Sequence, residues 1–186
     1  MAKTFGILVE QDYQDLEVWY PLLRLKEAGH RVIVIGTGSA PVYKGKFGYP
    51  ITVDTTADKV SAEDLEGILV PGGWAPDYLR RHKAVTDLVR DCHAQGKVVA
   101  AICHAGWVLV SAGILKGKTI TCFSAIRDDV EAAGARWVDC EVQVDGNLVT
   151  ARKPDDLPAF CREILRMLEG DPSVPSPPVR RPRHGR

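Results

Sequence analysis

The chain has 186 residues, of which 45% are hydrophobic and 26% are charged, and at this size one domain can bury an adequate core without disulfides or metals. Lys and Arg together number 24, as do Asp and Glu, so no overall field favours nucleic acid, an anionic membrane or acidic substrates. No apolar run approaches the roughly 20 residues of a membrane span, and the run at 5–9 is too short for a signal-peptide core. We therefore expect a soluble, cytoplasmic protein that binds neither nucleic acid nor membranes.

Short apolar runs alternate with longer segments of helical periodicity, which predicts a mostly parallel sheet covered by helices on both faces. The predicted strands are 5–9, 31–35, 67–70, 98–102 and 119–123. The predicted helices are 15–28, 83–95, about 104–112, 126–133 and 154–169. The other predictions are an irregular excursion or small hairpin at 37–53, a short capped helix at 61–64 and a hairpin turn at 145–147.

The first predicted helix carries Leu16, Trp19, Tyr20 and Leu23 on one stripe, and Gly29 ends it. The end of the chain has a different composition. From Asp171 onward there are five prolines and four arginines, which cannot bury enough apolar surface to fold alone. The sequence thus predicts one domain over 1–170 and a tail over 171–186 that is disordered or draped on a neighbour.

The cysteines are odd in number, widely spaced and without a C-x-x-C pair, which argues against disulfides or a zinc site. They are Cys92, Cys103, Cys122, Cys140 and Cys161. The histidines at 30, 82 and 93 show no ligand spacing either, so we expect no metal and no cofactor. Most of these cysteines are interpreted as small buried apolar residues.

Cys103 differs because the apolar strand at 98–102 runs directly into a helix through it. A nucleophile on such a turn needs small neighbours, and Ala101 and Ala105 supply them. A thiol at a helix amino-terminus is expected to ionise easily. It would also lie beyond the carboxyl ends of the strands, where open α/β sheets bind ligands. Cys103 is therefore the candidate nucleophile.

Four motifs that follow one another along the chain resemble those of the DJ-1/PfpI superfamily. Within that superfamily they are most similar to the PfpI-like intracellular peptidase and deglycase branch (peptidase C56-like). The resemblance covers about 3–169. The motifs are Asp15-Leu-Glu-Val-Trp-Tyr-Pro21 with Leu25-Lys-Glu-Ala-Gly-His30, then Leu69-Val-Pro-Gly-Gly-Trp-Ala-Pro-Asp77, then Ala101-Ile-Cys-His-Ala105, and Arg152-Lys-Pro-Asp-Asp-Leu-Pro158. This resemblance implies a flavodoxin-like three-layer sandwich, similar to class I glutamine amidotransferases.

The resemblance also implies roles for individual residues. Cys103 would be the nucleophile, and Glu17, at the end of the first strand, would hydrogen-bond its sulfur. A carboxyl group crowded against a thiolate tends to stay protonated and can then donate. His104 would be the general base, oriented by an acid from a neighbouring subunit of a dimer or hexamer. The matching acid here is Asp77, where the family usually has glutamate.

The Pro-Gly-Gly turn would expose backbone N–H groups to a developing oxyanion, and the resemblance implies that Gly73 and His104 provide them. Because His104 directly follows Cys103, direct proton transfer between the two is not assured by the sequence. Trp74 and Trp107 flank the motifs and are interpreted as packing or interface residues.

An adjacent Cys-His pair beside an oxyanion hole suits attack on a carbonyl carbon. The favoured function is a stress-protective hydrolase that acts on glyoxals or glycated adducts through Cys103. The enzymatic alternative is an intracellular cysteine peptidase. A class I glutamine amidotransferase is disfavoured, because the only late histidine is His184 and no His-x-Glu pair contains it. A non-enzymatic alternative is a redox sensor or chaperone that responds to oxidation of Cys103.

Overall fold

The computed structural model describes residues 2–170, and its centre is a seven-stranded sheet. The strands are β1 (Thr4–Leu8), β2 (Arg31–Gly36), β3 (Val42–Lys44), β4 (Pro50–Thr52), β5 (Thr55–Thr56), β6 (Gly67–Val70), β7 (Val98–Ile102), β8 (Thr119–Ile120), β9 (Arg136–Trp137), β10 (Val142–Asp145) and β11 (Leu148–Ala151). The helices are α1 (Asp15–Glu27), α2 (Ala75–Leu79), α3 (Lys83–Ala94), α4 (Gly106–Ala112), α5 (Arg127–Ala132) and α6 (Leu157–Glu169). The predicted tail at 171–186 lies outside the described residues.

The strand order of the main sheet is β10-β11-β7-β6-β1-β2-β5. Within this sheet every neighbouring pair is parallel except β10 and β11, which form the predicted antiparallel hairpin. From β1 the chain goes first to β2 on one side and later to β6 on the other. This reversal opens a crevice beyond the carboxyl ends of β1 and β6, where open α/β sheets bind ligands.

Helices cover both faces of the sheet. Helices α1 and α6 pack against each other, and α6 also contacts β7 and β11. Helix α3 contacts β6 and β7 and packs against α4. Four of the five inner strands, β1, β6, β7 and β11, are almost wholly buried, as expected of strands covered on both faces. The predicted three-layer α/β sandwich is confirmed. Within residues 2–170, no helix combines the length and the apolar content that crossing a bilayer requires.

Three of the four residues on the apolar stripe of α1 face outward, whereas Trp19 is half-buried against the core. Leu16 and Leu23 are 56% and 58% exposed, and Tyr20 is 38% exposed. The helix instead buries Glu17, Val18, Pro21, Leu22 and Leu25. Helical periodicity alone is compatible with two apolar faces on α1. Packing against α6 and the sheet buries the face that carries Val18, Leu22 and Leu25.

Several element boundaries differ from the prediction. Strand β8 is only Thr119–Ile120 and pairs with β9 outside the main sheet, because the backbone beyond it bonds elsewhere. The Thr121 N–H donates to Thr150 Oγ1 at 3.0 Å, and the Phe123 N–H donates to the carbonyl of Cys103 at 3.2 Å. The 37–53 excursion contains the β3–β4 hairpin, and the 61–64 segment forms a 3₁₀ turn with a capping box.

The Arg152 motif fixes the corner between β11 and α6. The Arg152 guanidinium donates Nε and Nη2 to the buried carboxylate of Asp156 at 2.9 and 3.0 Å, and Nη1 to Asp139 at 2.8 Å. Asp156 also accepts from the Arg152 backbone N–H at 3.1 Å. This bidentate pairing raises the pKa of Arg152 further above its ordinary value. Because β11 lies beside β7, the corner supports the strand that ends in Cys103.

Candidate active site

Cys103 follows β7 directly and adopts a left-handed backbone conformation, with φ 62°. Within residues 2–170 the only other non-glycine residue with positive φ is Asp12. A β-carbon in this region is strained, and such strain is concentrated at functional sites. Ala101 and Ala105 are buried on either side of the turn. The predicted nucleophile elbow is therefore present, although a 3₁₀ turn over Cys103–Ala105 comes before α4 begins at Gly106.

Glu17 lies beside the cysteine, in the first turn of α1 rather than at the end of β1. Its side chain is fully buried, and Oε2 accepts the Gly72 N–H at 2.7 Å. Its other oxygen, Oε1, is buried without a hydrogen-bond partner, and the carboxyl lies close enough to the Cys103 thiol to influence its pKa. A side chain at Gly72 would occupy the gap between them, since its β-carbon would lie 2.6 Å from both Cys103 Cβ and Glu17 Oε2. Gly72 therefore permits the approach of acid and thiol.

Burial changes the ionisation of both groups. It raises the pKa of Glu17 from 4.5 to about 7, because the charged carboxylate loses its water. It also raises the pKa of the Cys103 thiol to about 12, and the negative charge of Glu17 acts in the same direction. The prediction that Cys103 ionises easily was thus wrong for the site without a bound substrate. Below about pH 7 the site therefore favours a protonated carboxyl next to a neutral thiol.

His104 turns its ring back toward the thiol, with Nδ1 3.2 Å from Cys103 Sγ. The ring is held by Phe123, stacked with 5.0 Å between centroids, and by Trp107, edge-on at 5.3 Å. Burial lowers the pKa of His104 below 6.5, and the charge of Lys46 lowers it further. The imidazole is therefore neutral near pH 7 and can accept a proton from the thiol.

The two backbone N–H groups predicted for the oxyanion hole, those of Gly73 and His104, lie near enough to the Cys103 sulfur to lower its pKa. Gly73 has φ 73°, and a β-carbon there would come within 2.4 Å of the Asp12 carbonyl. The residue must therefore be glycine for the strand to exit at this angle.

The structure does not bring Asp77 to His104. Asp77 lies in α2, and its half-buried carboxylate pairs with Arg81 one turn later. Within residues 2–170, no carboxylate hydrogen-bonds the His104 ring. The histidine of one protomer is thus left without an orienting acid.

Sequence reasoning missed the contributions of Lys46, Phe123 and Tyr13. Tyr13 forms isolated β-bridges to Gly45 on one side and to Gly73 on the other, and so ties the β3–β4 hairpin to the candidate oxyanion turn. No local pattern in the sequence indicates this connection. Of the two tryptophans interpreted as packing or interface residues, Trp107 is half-buried against the core and donates Nε1 to Asp129 at 2.7 Å, whereas Trp74 is 58% exposed.

The other cysteines fit a structural role. Cys92, Cys122 and Cys161 are buried and Cys140 is half-buried, and all five cysteines are free thiols. Across residues 2–170, no group of three or more His, Cys, Asp or Glu side chains could hold a metal ion. The chemistry available at this site is nucleophilic attack by sulfur, proton transfer by imidazole and carboxyl, and stabilisation of an oxyanion by two amides.

Comparisons with known proteins agree with this geometry. Residues 3–167 match the model of the DJ-1/PfpI family. Deglycase PfpI from Pyrococcus furiosus is 42% identical over 162 residues, which cover 87% of this chain and 97% of the relative. YraA from Bacillus subtilis, whose name gives it as a candidate cysteine protease, is 38% identical over 169 residues, 91% of this chain and 100% of the relative.

The fold has a solved counterpart. The crystal structure of a two-domain protein from Anabaena variabilis, with DJ-1/ThiJ/PfpI-like and ferritin-like domains, superposes with a TM-score of 0.89 at 39% identity. The match covers 94% of this chain and 50% of that one. With the family model spanning nearly all described residues and relatives at this identity over almost their full length, the chain belongs to the DJ-1/PfpI family.

Proposed function

We propose that the protein is a cysteine-dependent hydrolase that acts on glyoxals or on the adducts they form with proteins, with Cys103 as its nucleophile. The observation that carries this proposal is the 3.2 Å contact of the Cys103 sulfur with the imidazole of His104, beside the buried carboxyl of Glu17 across Gly72. A thiol so placed can lose its proton at the moment of attack, without a standing thiolate. The deglycase name of the Pyrococcus furiosus relative supports the same substrate class.

The reaction of methylglyoxal illustrates the roles. As Cys103 Sγ bonds to the aldehyde carbon, its proton passes to His104 Nδ1, and the carbonyl electron pair moves to oxygen, which the Gly73 and His104 amides hold. The oxygen then takes the proton from His104. Next, His104 removes the hydrogen of the former aldehyde carbon while the adjacent ketone oxygen is protonated, which gives an enediol. His104 then delivers the proton to the neighbouring carbon as the first hydroxyl loses its own proton and becomes the thioester carbonyl, so one carbon is oxidised and its neighbour reduced. The resulting lactyl thioester is hydrolysed by water, which releases lactate and restores the thiol.

Glu17 would keep its proton through this sequence. A protonated carboxyl donates to a sulfur that gains negative charge, whereas an ionised carboxyl repels it. The role therefore requires the raised pKa that burial produces.

The test is turnover of methylglyoxal to lactate by the protein and by Cys103→Ser and His104→Ala. We expect both variants to lose turnover, and the thioester to be detected on Cys103 by mass spectrometry after rapid quenching. Turnover that persists in Cys103→Ser would refute the proposal. A fluorogenic peptide panel, run with the same variants, decides whether peptide bonds are the substrate, as the name of YraA suggests for that relative. Loss of a peroxide response without any turnover would favour the redox sensor.

The site supports a homo-oligomer, a dimer or a hexamer, in which Asp77 of a second copy orients His104. His104 lacks an acid within its own described chain, and Asp77 is accessible at 44% side-chain exposure. The outward apolar residues Leu16 and Leu23 of α1 provide surface for association. Asp77→Asn, with its oligomeric state checked by light scattering, should lose turnover while it remains assembled.

The five free thiols suit the reducing cytoplasm, where we place the protein.

A further inference from the structure

Lys46 lies at the tip of the hairpin between β3 and β4, on a turn held by specific bonds. Its backbone N–H donates to the Tyr13 carbonyl at 2.8 Å. The carboxylate of Asp15 accepts the Phe47 N–H at 3.0 Å and the Tyr49 N–H at 3.1 Å. The turn is therefore fixed against the start of α1.

The same turn is tied to the candidate oxyanion hole. Tyr13, which bridges Gly45 beside Lys46, also bridges Gly73 on its other side. The Gln14 N–H continues this connection by donating to the Gly72 carbonyl at 3.2 Å. These backbone contacts hold Lys46 at the edge of the site.

The ammonium group of Lys46 has no neutralising partner. The residue is exposed, and across residues 2–170 its Nζ makes no ion pair; it lies over the Phe47 ring, 5.2 Å from the centroid. Asp15, the acid of this turn, has both oxygens occupied by backbone N–H groups. The positive charge of Lys46 acts electrostatically on the site, because it lowers the pKa of both Glu17 and His104.

Lys46 therefore brings to the edge of the site a positive charge that no carboxylate within residues 2–170 pairs with. We propose that Lys46 binds a carboxylate of the substrate, so that the site prefers carbonyl compounds that carry a carboxylate over neutral ones of the same shape. This inference rests on the proposed function and names its substrate class. Lys46 would be a specificity-determining residue that takes no part in proton transfer.

The expected gain in kcat/KM from the carboxylate is small, because Lys46 is exposed to solvent. An ion pair in contact with water is weak, so the carboxylate should improve kcat/KM by about three- to fivefold, mainly through KM. Salt should remove the preference, because the Debye length falls to a few ångströms near 1 M ionic strength.

The experiment compares phenylglyoxal with 3- and 4-carboxyphenylglyoxal, which differ from it only in the added carboxylate. Each compound takes up one water and gives the corresponding mandelate, so one assay serves all three. The proteins are the unmodified chain, Lys46→Gln and Lys46→Arg. Lys44→Gln is the matched control, because Lys44 is an exposed lysine on the same hairpin that has no effect on the pKa of Glu17 or His104.

The preference is measured in each protein as the ratio of kcat/KM for a carboxylated compound to kcat/KM for phenylglyoxal, and we expect it to be lost in Lys46→Gln and retained in Lys46→Arg and Lys44→Gln. An unchanged preference in Lys46→Gln would overturn the inference. So would a shift in oligomeric state in that variant, which would assign Lys46 to a partner subunit's carboxylate.

A binding measurement separates this inference from the proposed function. Cys103→Ser is titrated with benzoate and with benzamide, and binding is followed by the fluorescence of the tryptophans around His104. If the chain turns over none of the glyoxals, the proposed function fails, whereas the inference stands if benzoate binds more tightly than benzamide and Lys46→Gln removes that difference. Equal binding of the two probes would refute the inference.

Discussion

His104 Nδ1 lies 3.2 Å from the Sγ of Cys103, the residue directly before it in the chain. Consecutive side chains of a regular helix point in different directions and do not meet in this way. Here the left-handed backbone at Cys103, with φ 62°, redirects the first side chain, and the 3₁₀ turn that follows brings the second one back. The strained turn thus produces the contact between the Cys103 thiol and the His104 imidazole.

The pH dependence of turnover should be bell-shaped. His104 must be neutral to accept the proton, and burial lowers its pKa below 6.5, so kcat/KM should rise with pH on the acid side. Glu17 must be protonated, and its pKa is raised to about 7, so kcat/KM should fall as the pH passes through neutrality. A pH profile of Glu17→Gln, which cannot ionise, should lack the alkaline fall. An unchanged alkaline limb in that variant would show that another group controls it.

Glu17 should also make the folded state less stable at alkaline pH. Its pKa is about 7 when folded and 4.5 when exposed, so its favourable contribution is complete below pH 4.5 and lost as the pH rises through 7. That interval corresponds to about 3 kcal/mol at about 1.4 kcal/mol per pH unit. Glu17→Gln should therefore gain stability over the unmodified protein between pH 5 and 8, as measured by urea unfolding. A constant difference across this range would contradict the assigned pKa.

Gly72→Ala should inactivate the protein at a modest cost in stability. The added methyl group would lie 2.6 Å from Cys103 Cβ and Glu17 Oε2, so acid and thiol must separate. A displacement of this size costs about a hundredfold in kcat. The control is Gly67→Ala, which crowds the Phe5 ring at 2.3 Å, away from the site, and should lose about 1–3 kcal/mol of stability but little kcat. Equal losses of kcat in the folded fractions of both variants would argue against a specific role for Gly72.

The outward face of α1 should be an association surface. Leu16→Ser combined with Leu23→Ser removes two exposed leucines, and we expect a smaller species by light scattering together with reduced turnover. Since both residues are exposed in the protomer, its unfolding free energy should change by less than about 0.5 kcal/mol. Val42→Ser, an exposed apolar residue on the β3–β4 hairpin, is the control and should leave assembly intact. An unchanged mass in the double variant would place the interface elsewhere.

Local sequence signals predicted the sheet well where strands are buried and bounded by glycine. The Val98–Ile102 strand and the hairpin between Val142–Asp145 and Leu148–Ala151 agree with the structure. The prediction was wrong for the length of β8, and the buried face of α1 was not predicted, because both are decided by partners distant in the chain. Helical periodicity cannot tell which of two apolar faces meets the core.

The sequence by itself determined the α/β class, the elbow at Cys103 and the family motifs, because these depend on short runs of neighbouring residues. The tertiary structure alone decided the ionisation of the site, since the pKa values of Glu17 and Cys103 follow from burial that no local pattern expresses. It alone also placed Lys46 beside the site, through Tyr13 and its bridges to two separate loops. Charge and solvation at a site depend on every segment that surrounds it, and those segments meet only when the chain folds.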